Sequence, residues 1–138
     1  MEPSRPLNHE EALVRAFVSK DKRDRYLMLL SNPKRRCEAI NHLNHHFDFI
    51  ESLATKISAT DSSPNELEAL LRSKGAGGTC QLIADESNLD GREISLREGC
   101  EMNSTEFFAF VLSCVPGQLA YFKMEADAHG YILQKRSR

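Results

Sequence analysis

Residues 107–124 read Phe-Phe-Ala-Phe-Val-Leu-Ser-Cys-Val-Pro-Gly-Gln-Leu-Ala-Tyr-Phe-Lys-Met, and this stretch decides the fold. Phe107 to Val115 form an almost unbroken apolar run, bounded by Thr105–Glu106 on one side and Pro116–Gly117 on the other. A run that short between polar and turn-forming residues reads as a strand buried on both faces. Pro116–Gly117 suits a type II turn, with glycine at the position that needs a positive φ. Leu119–Met124 then gives a second strand and, after a polar loop, Tyr131–Lys135 a third. Their nearness along the chain predicts antiparallel pairing.

Outward from this core, Thr79–Ala84 is a further strand, and Asp90–Gly91 suits a tight turn after it. Ser95–Leu96–Arg97–Glu98 has the capping-box pattern and predicts a short helix through about Met102. The strongest local signal is Ser63–Pro64–Asn65–Glu66. It supplies an N-cap serine, a proline at the first helical position and a glutamate placed to reach back to the cap. Leu67, Leu70 and Leu71 then face a core, and Gly75 stops the helix after Lys74.

The N-terminal half is helical. Asn8 with Glu11 marks a helix over His9–Ser19, with Leu13, Val14, Phe17 and Val18 on one face. Asp21 restarts a helix that buries Tyr26, Leu27 and Leu30. Asn32 as cap and Pro33 as first residue open another, carrying Cys37, Ile40 and Leu43 at helical spacing. Phe49, Ile50, Leu53 and Ile57 suggest a short amphipathic helix, ended by Thr60–Asp61–Ser62. The expected fold is a single α+β domain over residues 1–138, a helical part (1–60) followed by an α/β part (61–138). Its N-terminal helices pack on a small, mostly antiparallel C-terminal sheet.

Composition narrows the functional classes. The chain of 138 residues is long enough to build a core without disulfides or metals. Its four cysteines, Cys37, Cys80, Cys100 and Cys114, include no CxxC pair, which fits neither a zinc ribbon nor a disulfide scaffold. A reducing cytoplasm is the expected home, and the texture is that of a bacterial protein. Met1–Leu7 lacks the apolar core of a signal peptide, and no apolar run reaches membrane-spanning length. A net charge of −2 argues against a surface wholly devoted to nucleic acid.

Several constellations invite chemistry, and each lacks a member. His42 and His46 are one helical turn apart, with His45 and Asp48 close by, a spacing that can hold a transition metal. An HExxH site would need glutamate where this chain has Leu43. Gly75–Ala76–Gly77–Gly78–Thr79 follows a helix and opens a strand, the reverse of a phosphate loop. Asp85, Glu86, Asp90 and Glu93 lack the EF-hand spacing, and Arg92 and Arg97 offer nearby countercharges. Ser113–Cys114, with His129 two strands later, has no GxSxG elbow.

The basic run is Lys20, Lys22, Arg23 and Arg25, continued by Lys34, Arg35 and Arg36, and the clustering of the last three has no local stabilising cause. Cations at the start of a helix oppose its dipole. The sequence therefore points to a small cytosolic, non-enzymatic binding or regulatory module without a cofactor. It contacts another macromolecule, a protein first of all, through Lys22, Arg23, Arg25, Lys34, Arg35 and Arg36. On this reading Arg35 and Arg36 can be exchanged for glutamine without loss of stability. One alternative is a metal-assisted hydrolase built on His42, His46 and Asp48; another is weak nucleic-acid binding through the helices of Lys20–Arg36.

Overall fold

In the computed structural model, which describes residues 9–58, 63–86, 88–105, 108–124 and 129–135, the central apolar run becomes β4 (Phe110–Val115). Its side chains alternate between two cores. Phe110, Leu112 and Cys114 face one side of the sheet, while Val111 belongs to the core on the other. Both faces being covered is why the run needs no polar alternation. A tight turn leads into β5 (Leu119–Lys123), closed by a bond from the Gln118 N–H to the Val115 carbonyl at 2.9 Å. Gly117 takes φ 70° there, a conformation that a side chain would strain. β6 (His129–Gln134) completes an antiparallel meander and begins two residues before the predicted Tyr131.

The sheet has six strands in the order β1-β6-β5-β4-β2-β3, every neighbouring pair antiparallel. β2 (Thr79–Ala84) is a strand, as the sequence indicated, and the structure places it beside β4. Two edge strands were not foreseen. β3 (Glu93–Ser95) has only three residues, too few for periodicity to register. β1 (Ala54–Ser58) replaces the amphipathic helix expected across Phe49–Ile57, which reduces to a 3-10 turn at Glu51–Leu53. Thr55 and Ile57 are β-branched, and pairing of Ala54–Ser58 with β6 satisfies the backbone as a ladder.

Helices cover both faces. On one side lie α1 (His9–Phe17), α2 (Arg23–Ser31) and α3 (Arg36–His45), packing Leu13, Phe17, Tyr26, Leu29 and Ile40 against Val111 and Phe122. On the other lie α4 (Pro64–Ser73) and α5 (Leu96–Thr105), packing Leu67, Leu71 and Leu96 against Leu82, Leu112 and Tyr121. The architecture is α+β, as expected, with helices on both faces of the sheet. Among the described residues no helix is long and apolar enough to cross a membrane.

The helix boundaries follow local chemistry. Ser63 and Glu66 form the reciprocal capping box, each side chain bonding the other's backbone N–H, and Pro64 opens α4. At its end Ala76 N–H reaches the Leu71 carbonyl and Gly75 N–H that of Arg72, a Schellman closure with Gly75 at φ 120°. Ser95 and Glu98 repeat the box at α5. The predicted start of the third helix at Pro33 is corrected. Asn32 Oδ1 accepts the Lys34 N–H and Arg35 N–H bonds the Asn32 carbonyl, so 32–35 is a turn and α3 begins at Arg36. The side chain thus closes its own turn, as Asn does in competition with helix. Met1–Asn8 with the Asn8 cap, the Thr60–Ser62 breaker and Phe107 lie outside the described residues.

Candidate functional site

The basic residues divide into two sets once folded. Arg36, in the first turn of α3, points into the molecule. Its guanidinium bonds both oxygens of Glu10 at 2.6 Å each, both oxygens of Asp90 at 2.8 and 3.2 Å, and the Leu30 carbonyl at 2.9 Å. Arg36, Glu10 and Asp90 side chains are all less than one-fifth exposed. Asp90 also accepts the Ala84 N–H, and Gln81 bonds Glu10, so the cluster joins α1, α3, β2 and the β2–β3 loop. The paired carboxylates hold this guanidinium well above even its ordinary range, Glu10 first. Asp90 therefore takes its countercharge from Arg36 rather than from Arg92 or Arg97; Arg97 pairs with Glu101 and Glu68.

The other cations face outward. Lys20, Arg25 and Lys34 are exposed, and Lys22, Arg23 and Arg35 partly so. Arg23 bonds the Val18 carbonyl at 2.9 Å, and Arg35 grips Glu38 through two bonds of 3.0 Å. The ridge predicted from sequence thus keeps Lys22, Arg23, Arg25, Lys34 and Arg35 on the surface and loses Arg36 to the interior.

Beside Arg25 lies the histidine group. The chain leaving α3 is tied to α1 by bonds from Ser19 N–H to the Asp48 carbonyl and from Ile50 N–H to the Phe17 carbonyl. Phe47 and Phe49 anchor it on Phe122 and Tyr131. This places Asp48 under α2, where the Tyr26 hydroxyl donates to its Oδ2 at 2.7 Å and His42 Nε2 lies 3.5 Å away. Burial holds the His42 imidazole below its ordinary protonation range; Asp48 pulls it up, while His46, Arg25 and Lys22 push it further down. The His42 and His46 rings lie 4.6 Å apart, centroid to centroid, tilted by 35°. Arg25, Glu38, Asn41, His42, His45 and His46 line a cleft of about 280 Å³.

For metal chemistry this geometry offers a neighbouring histidine pair but no complete cage. Among the described residues no three His, Cys, Asp or Glu side chains converge as donors. Asp48, the third member of the sequence-derived set, is engaged by Tyr26 instead. Ser113 offers no reachable nucleophile either. It is fully buried, and its hydroxyl meets His9 Nδ1 at 2.8 Å, a pairing across 104 residues. In the core on the opposite face of the sheet, burial raises the acid thresholds of the thiols, Cys80 and Cys100 to about 12 and Cys114 higher still. Raised thresholds keep thiols protonated and inert.

No protein-family model matches the chain, and no match emerged among curated proteins or solved structures.

Proposed function

We propose that the protein is a cytosolic, non-enzymatic binding module that docks an acidic surface of a partner protein. The contact face is the rim formed by the 3-10 turn Lys20–Lys22, the start of α2 and the turn before α3. The observation that supports this is the contrast between Arg36 and its neighbours. Arg36 is buried between two carboxylates, whereas Lys22, Arg25 and Lys34 sit outward with no ion pair among the described residues. Clustered cations of this kind raise the rate of encounter with an acidic partner and fix its register. Few aromatics accompany them for base stacking, which favours a protein over single-stranded nucleic acid.

Capture from the native host is the test. A Lys22→Gln, Arg25→Gln, Lys34→Gln triple variant should retain the melting temperature and lose the co-purifying partner, the difference being greatest at low salt. Equal capture across the salt series would remove this face and turn attention to the Asp85–Glu93 loop.

A further inference from the structure

Asp90–Gly91 is the one Asp–Gly step in the chain, and Asn–Gly does not occur. Such a step is open to a reaction of its own, because glycine leaves its nitrogen unshielded beside the preceding side-chain carboxyl. The nitrogen bonds to the carboxyl carbon and closes a five-membered succinimide. One carboxyl oxygen leaves as water, taking the amide proton and a second proton from the carboxyl or from solvent. Water then opens the ring at the backbone carbonyl, and the chain continues through the former side chain as isoaspartate. The net composition is unchanged, so water is the only co-reactant.

Both reacting groups are engaged elsewhere in the fold. Asp90 Oδ2 accepts the Arg36 Nε–H at 2.8 Å, while Oδ1 accepts Arg36 Nη2 at 3.2 Å and the Ala84 N–H at 3.0 Å. A carboxylate pinned through both oxygens cannot turn its carbon toward the next nitrogen without giving up these bonds. The Gly91 N–H donates to the Leu82 carbonyl at 2.8 Å, and the Leu82 N–H returns a bond to the Arg92 carbonyl at 2.8 Å. A Cβ built on Gly91 would stand 3.6 Å from Arg36 Nη2, so the guanidinium also lies over the reacting peptide. Arg36 is itself fixed by Glu10, which takes a further bond from Gln81 at 3.2 Å. Ring closure therefore requires this clamp and the loop to open together, and its rate follows the population of the open form.

We propose that Asp90–Gly91 is a latent site of isoaspartate formation and that the Arg36 clamp keeps it unreacted. Neither Asp90 nor Arg36 belongs to the docking rim. In the product the carboxylate hangs directly from the α-carbon, one bond shorter, and the main chain is one atom longer. That carboxylate cannot refill the clamp without displacing the backbone, so the modification releases the β2–β3 loop from Arg36 at the start of α3.

The full-length protein, kept at neutral pH and body temperature and sampled over weeks, provides the test. After proteolysis the aspartate and isoaspartate forms of the peptide carrying Asp90 are separated by chromatography and told apart by their fragment ions. Wild type unfolded in guanidinium should accumulate isoaspartate. Folded wild type should do so more slowly by at least about tenfold, the scale of one hydrogen bond to a charged group. Arg36→Lys keeps the charge without the fork and should react faster than wild type, and Arg36→Gln faster still. Leu67→Ala opens a cavity in the other core and leaves the clamp in place, so it should accelerate the reaction less than Arg36→Gln does.

Equal rates in folded and unfolded wild type would overturn the protective role of the clamp. Absence of isoaspartate in guanidinium would remove the site itself. If Leu67→Ala matches Arg36→Gln, lost global stability drives the reaction and the assignment to Arg36 falls. Should Arg36→Gln fail to fold, Arg36→Lys decides, and a rate unchanged from wild type would overturn the clamp.

Discussion

Arg36 and Glu10 meet in a two-point contact, with both nitrogen–oxygen distances at 2.6 Å, across 26 residues of chain. Asp90 closes the other side of the same guanidinium, and the Leu30 carbonyl takes its fifth N–H. Removing one partner from such a buried cluster leaves charge without compensation. Arg36→Gln should therefore lower stability by about 3 kcal/mol in urea unfolding. Arg35→Gln should leave the urea midpoint where it is, because its pair with Glu38 is on the surface. Equal effects from the two would show that the internal cluster carries no particular weight.

Thiol accessibility gives a second expectation. Cys37 is exposed, while Cys80, Cys100 and Cys114 are buried. Ellman's reagent should react promptly with one thiol in the folded protein and with four after unfolding in guanidinium. Prompt reaction of a second thiol in the native state would contradict the packing of α5 on β2 and β4.

Stability should decline at both ends of the pH range. Unfolded thiols ionise near 9, but folded Cys80 and Cys100 hold their protons to about 12. Between those values the native state binds more protons, so stability falls as pH rises above about 9. His9 and His42 are displaced the other way, chiefly by burial. Their contribution is complete above the ordinary histidine value of 6.5 and is lost as pH drops below it. Urea midpoints measured from about pH 5 to 10 should trace a dome. Cys100→Ala should flatten its alkaline limb, and a His9→Asn, His42→Gln double variant its acid limb.

Gly130 is the most sterically constrained of the described glycines. A Cβ placed there would stand 2.0 Å from Tyr121 Oη and 2.4 Å from Cζ, because the ring crosses the β6 backbone at that point. Gly130→Ala should cost at least about 2 kcal/mol, whereas Gly77→Ala, with open space around it, should be tolerated. Tyr121→Phe probes the hydroxyl at this same end of the ring. The hydroxyl donates to Asn103 Oδ1 at 2.5 Å, and Asn103 Nδ2 is buried without a partner among the described residues. Losing that bond should cost about 1–3 kcal/mol, measured by chemical denaturation.

The capping box of α4 offers a local control. Ser63→Ala should lower stability by about 1 kcal/mol, and Glu66→Ala should lower it by less. A negligible effect of Ser63→Ala would mean that packing of Leu67 and Leu71 alone holds the helix.

What the chain itself determined lies within a few residues of each signal. The paired Ser–Glu boxes set two helix starts, Gly75 set a helix end, and Pro116–Gly117 set the turn between two strands. The uninterrupted Phe110–Val115 run marked a strand covered on both faces. Each rests on hydrogen bonding or side-chain alternation over one turn or one strand, which sequence records directly. Short edge strands escaped, because three or five residues pair only when a neighbour is already in place.

Tertiary structure alone decided the fate of the charged residues. Nothing local separates Arg36 from Arg35, yet one is enclosed by Glu10 and Asp90 while the other lies on the surface. Their partners stand 26 and 54 residues away from Arg36, and His9 and Ser113 are 104 apart. The same holds for Asp48, whose turn under Tyr26 depends on a loop tied to the end of α1. Burial is a property of the assembled layers, and it determines whether a charge acts as an internal structural tie or stays at the surface.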